Sequence, residues 1–139
     1  MGFPLQKKSK KPSMQPNKDP KAWACFTFYG SKCRPNWISE ESGLVADFQV
    51  EEPEPIWQLN SRLPAKSPLS EHLWDILRRV APVRKIIKEI ASFTDATIYA
   101  SVEFSGPGRN GVVFEKRLLL LLGELGIAFE LMPWDGDRL

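Results

Sequence analysis

The chain is poor in the residues on which metal and thiol chemistry depend. Its 139 residues include one histidine, His72, and two cysteines, Cys25 and Cys33. The thiols form no C-x-x-C and are too few for a disulfide framework. One histidine and two scattered thiols also fall short of a zinc site, which takes three or four protein ligands. No metal and no cofactor are therefore expected. Long apolar runs are missing too. The longest aliphatic run is Leu118 to Leu122, far below the ~20 residues of a membrane helix. Residues 1–21 hold no apolar core of the kind a secretory leader needs. A cytoplasmic protein with reduced thiols and no membrane contact is expected. Nucleophile and phosphate motifs are absent as well. There is no G-x-S-x-G, and "GPGRNG" at 106–111 is not followed by Lys-Ser/Thr as a P-loop requires. A non-enzymatic protein is expected.

Charge is present but unevenly placed. Residues 1–21 carry six lysines against Asp19, and residues 22–139 carry 13 basic and 16 acidic residues. The first segment, rich in Lys, Pro, Ser and Gln, reads as a flexible basic tail. The rest is long enough for one domain with its own core. Its acidic balance argues against a body built to neutralise many phosphates.

Hydrophobic periodicity orders residues 22–139. In "AWACFTFYG", Ala22, Ala24, Phe26 and Phe28 share one face, and Trp23, Cys25, Thr27 and Tyr29 the other. "RPNWISEESG" reads as a short helix closed by Gly43. "ADFQVEEPEP" reads as an acidic loop broken by two prolines, and "IWQLN" at 56–60 as a short strand. Ser67 is the expected N-cap and Pro68 the first position of a helix. Its stripe is Leu69, Leu73, Ile76, Leu77 and Val80. Pro82 is expected to start a second piece, with Val83, Ile86, Ile87 and Ile90 as its stripe. "ATIYASVEF" alternates as a strand. Asn110-Gly111 is a hairpin signal, with Val112 to Phe114 returning. Phe114, Leu118, Leu121, Leu122 and Leu125 form the last helical stripe, and "IAFELM" the closing strand. These elements predict an α/β (α+β) two-layer sandwich: a mostly antiparallel sheet of about five strands with helices packed on one face.

The expected partner is a protein. Glu51, Glu52 and Glu54, joined by Trp57, are the candidate partner-binding residues, because an acidic surface steers and captures a basic partner. Glu40, Glu41 and Asp47 lie near them in sequence. Leu119 and Leu120 fall outside the last helix's stripe and raise the expectation of a homodimer contact. His72 sits at the edge of its stripe, three residues from Asp75, and reads as structural rather than catalytic. Arg78, Arg79, Arg84, Lys85 and Lys88 read as a solvated helix face. The alternative function is nucleic-acid binding, through the Lys-rich tail or through Trp23, Tyr29, Thr97, Tyr99 and Ser101 on the polar sheet face. Glu103 and Glu130 on that face would repel phosphate.

The segments "ACFTFYG", "IWQLNS", "LSEHLWDIL", "TIYASVEF", "NGVVF", "EKRLLLLLGELG" and "IAFELM" occur in an order similar to a bacterial family of uncharacterised proteins, domain-of-unknown-function family 4279. The resemblance covers roughly residues 22–134. It rests on Trp57, the His72-Leu73 pair and the final helix–Gly–strand. It implies a compact α/β domain and brings no catalytic residues. By analogy of size and type it suggests an immunity protein that neutralises a bacterial toxin, one half of a toxin–antitoxin pair.

Overall fold

A computed structural model describes residues 20–104 and 111–134 of the chain. Ten elements follow in order: β1 (Ala22–Tyr29), α1 (Pro35–Ser42), β2 (Phe48–Val50), β3 (Ile56–Asn60), α2 (Leu69–Val80), a 3-10 turn (Ala81–Val83), α3 (Arg84–Ala91), β4 (Asp95–Val102), α4 (Lys116–Leu125) and β5 (Ala128–Pro133). The sheet order is β2-β3-β1-β4-β5. Strand β1 is antiparallel to both its neighbours, and β2 is antiparallel to β3. Only the β4–β5 pair is parallel. A parallel pair needs a crossover rather than a tight turn, and α4 supplies it.

One sheet face carries the helices. Ala22, Ala24, Phe26 and Phe28 of β1, Trp57 and Leu59 of β3, and Ile98, Ala100 and Val102 of β4 all turn to it and are buried. Register makes the core aromatic at one end. Phe28 pairs with Trp57 on one side and with the small Ala96 on the other. The Phe26 and Phe28 rings meet edge-on at 4.7 Å, and Phe28 meets Trp57 at 5.6 Å. At the other end Ala22, Ala24 and Ala100 leave room for α2, whose stripe Leu69, Leu73, Ile76, Leu77 and Val80 is buried throughout. Ile87 and Ile90 of α3 and Leu118, Leu122 and Leu125 of α4 complete the layer. The sequence reading of a two-layer sandwich with helices on one face therefore holds.

Local signals place most boundaries. Pro35 occupies the first turn of α1, and Gly43 ends it at φ 73°, where a side chain would be strained. Pro82 breaks the helix pattern into α2 and α3 through the 3-10 turn. Helix α2 begins one residue later than its sequence suggests. Pro68 is extended at ψ 150° and takes the cap position, while the Ser67 amide bonds to the Pro64 carbonyl.

Two further expectations are corrected. Phe48–Val50, read as loop, is a three-residue edge strand on β3. Its alternation is too short to register as a strand before its partner is known. Conversely, Val112 to Phe114 form no strand. A hairpin return needs a free edge of β4, but β1 holds one edge and β5 the other. Phe114 packs instead against Phe129, with ring centres 4.9 Å apart. The turn at 105–110 lies outside the described residues, as do residues 1–19 of the tail.

Candidate functional site

No helix among the described residues covers the second sheet face. Strand alternation places Trp23, Cys25, Thr27 and Tyr29 of β1 on it, with Thr97, Tyr99 and Ser101 of β4, Ile56, Gln58 and Asn60 of β3, Phe48 of β2 and Glu130 of β5. Its polar groups are largely satisfied among themselves. The Thr27 hydroxyl donates to Gln58 Oε1 at 3.4 Å, and Gln58 Nε2 donates to Asn60 Oδ1 at 2.7 Å. Tyr29 Oη lies 3.3 Å from Thr97 Oγ1. A hydrogen bond to Tyr29 pushes the Tyr99 phenol up to about 12, aided by partial burial and by the charge of Glu130. Tyr99 is therefore neutral at physiological pH.

The acidic segment after β2 turns through a cis Glu52–Pro53 peptide and flanks this face. Between them lies a groove of about 630 Å³, lined by Tyr29, Tyr99, Thr27, Gln58, Ile56 and the run Pro53–Pro55. Of the candidate acidic residues, Glu54 lines this groove. Glu51 and Glu52 line a separate hollow of about 370 Å³ with Arg34, Trp37 and Glu40. The structure thus divides the acidic cluster between two surfaces. Trp57 belongs to neither. It faces the helices, is 0% exposed, and donates its indole N–H to Ser39 Oγ at 2.9 Å. Strand alternation sends it inward between the outward-facing Ile56 and Gln58, so it anchors the core and offers a partner no surface. These four are neighbours along the chain, whereas Tyr29, Tyr99 and Gln58 meet only through strand register.

His72 is fully buried. Its Nδ1 lies 2.6 Å from Ser61 Oγ, which also accepts the Leu63 amide. Its Nε2 is buried without a hydrogen-bond partner. Burial lowers the imidazole pKa; the Ser67 and Pro64 carbonyls and the Asp75 and Glu71 carboxylates oppose that with smaller effects. Asp75 does not complete a catalytic triad. Its carboxylate accepts the Arg62 amide at 3.0 Å and Arg79 at 3.2 Å. Arg79 also donates to the Asn60 carbonyl, so this cluster ties α2 to the end of β3. The Ser61–His72 contact does the same from within the core.

The remaining surfaces are plainer. Arg78, Arg84, Lys85 and Lys88 are exposed, and Lys88 pairs with Glu124 at 3.5 Å. Leu119 and Leu120 on α4 are exposed, Leu120 by 73%. Both thiols are buried, and burial pushes Cys33 up to about 11. Among the described residues no three His, Cys, Asp or Glu side chains are placed to hold a metal ion. No helix among them is long and apolar enough to cross a membrane.

No curated protein and no solved structure matches the chain. A family model does match, described as a domain of unknown function, over residues 20–136. That span runs from the start of β1 past the end of β5 and takes in the open face, the acidic loop and the buried His72. The chain belongs to the domain-of-unknown-function family DUF4279.

Proposed function

We propose that this domain is a non-enzymatic binding protein whose open sheet face takes a protein partner. The observation that carries the reading is the groove of about 630 Å³ on that face, walled by two tyrosines and two prolines. Tyrosine is enriched where proteins meet, because it presents a large apolar ring at low entropic cost. The face is held in shape by its own hydrogen bonds, so little ordering is lost on binding. Its charge favours a basic partner. The five strands carry Asp95 and Glu130 and no lysine or arginine. That composition disfavours the alternative, nucleic-acid binding on the sheet, which needs cations near the stacked bases. In its most concrete form the partner is a basic toxin domain and this protein its cytoplasmic immunity protein. The acidic balance of residues 22–139 supports that form.

Affinity capture from the native host tests the reading, using wild type, the face variant Tyr99→Ser/Gln58→Ala, and Leu120→Ser on the far layer. The expected result is one near-stoichiometric protein with wild type and Leu120→Ser, and its loss with the face variant. Equal retention by the face variant would overturn the reading. So would recovery of nucleic acid alone, released steeply by salt.

A further inference from the structure

The groove has a chemistry that selects among side chains. Tyr29 and Tyr99 present rings, Glu54 a carboxylate and Gln58 an amide. Among the described residues no lysine or arginine lines it. Glu130 pairs with Tyr99 across β4–β5 on the same face, close enough for its charge to act on that phenol. Tyrosine rings attract a cation over their faces, and carboxylates accept charge-assisted hydrogen bonds from guanidinium or ammonium groups. An anionic side chain meets repulsion from Glu54. A neutral one forgoes both attractions.

We propose that this groove is a subsite for one cationic side chain, arginine or lysine, presented by the protein partner; the inference rests on the open face being that partner's interface. Arginine fits best. Its planar guanidinium stacks on a ring while its edge donates to a carboxylate, and it sheds water more readily than ammonium. At about 630 Å³ the open groove is larger than one side chain, so backbone flanking the cation lies along it too.

The test uses the full chain and three terminally blocked peptides, Gly-Arg-Gly, Gly-Lys-Gly and Gly-citrulline-Gly, each titrated under two-dimensional NMR. Citrulline keeps the shape of arginine and removes the charge. The arginine peptide should give saturable shifts at Tyr29, Tyr99 and Gln58. The citrulline peptide should bind about tenfold more weakly, the loss expected for one cation–π contact with its counter-charge. Glu54→Gln should weaken the arginine peptide several-fold, and added salt should do the same. Tyr99→Phe keeps the ring and should retain binding, whereas Tyr99→Ser should lose it. The proposal falls if neither cationic peptide shifts the tyrosines saturably, or if citrulline binds as well as arginine. Silent peptides combined with capture that still depends on the face would remove the subsite and leave the interface. Loss of both would remove both.

Discussion

Protonating His72 should destabilise this fold, and no second histidine in the chain obscures the effect. The ring is fully buried, its Nε2 has no partner, and burial lowers its pKa below the ordinary value. Free histidine titrates near 6.5. Below that pH the unfolded chain binds a proton that the native ring resists, so the native state loses stability as pH falls. The contribution is complete above about pH 6.5 and declines below it until the native ring itself protonates. The slope cannot exceed about 1.4 kcal/mol per pH unit for one proton. Between pH 7 and pH 5 the total loss is bounded at about 2 kcal/mol, reached only by a ring that stays neutral throughout. Most carboxylates titrate lower, near 4, so the window isolates the imidazole. Urea unfolding followed by tryptophan fluorescence reads it, since Trp57 is buried beside Phe28 and becomes wet on unfolding. His72→Gln should be less stable at pH 7 and nearly flat down to pH 5. The single imidazole Cε1–H resonance gives the native pKa independently. A midpoint at or above 6.5, or the same slope in wild type and His72→Gln, would refute the reasoning.

Three further outcomes are expected. Trp57→Ala should cost about 3–5 kcal/mol in the same unfolding assay, because it removes a large side chain from the centre of the aromatic core; a loss below 1 kcal/mol would mean the residue is not buried. Gly30→Ala should cost about 1–3 kcal/mol. Gly30 sits at φ 104°, and a Cβ there would lie 2.8 Å from Asp95 Oδ2, so an unchanged thermal midpoint would contradict the geometry. Cys25 and Cys33 are both buried with raised thiol pKa values, so at pH 8 neither should react with a disulfide reagent until denaturant is added. Release at the rate of a free thiol from the native protein would count against that burial.

Periodicity by itself determined the layers. The alternation Ala22–Ala24–Phe26–Phe28 and the stripe Leu69–Leu73–Ile76–Leu77–Val80 name core faces because period 2 and period 3.6 are properties of a single strand or helix. Proline and glycine signals fixed α1 and the break at Pro82 for the same reason, since they act on local dihedrals. What required the tertiary structure was which edges pair. Val112–Phe114 carries a hairpin signal, yet β5 occupies the edge it would need, while Phe48–Val50 becomes a strand only because β3 lies beside it. The site divides in the same way. Glu54 is legible as an exposed acid, but strand alternation sends Trp57, three residues on, to the opposite face. Tyr29 and Tyr99 were legible as members of a polar face. Their meeting in one groove with Glu54 depends on antiparallel register between segments some 70 residues apart, which no local pattern encodes.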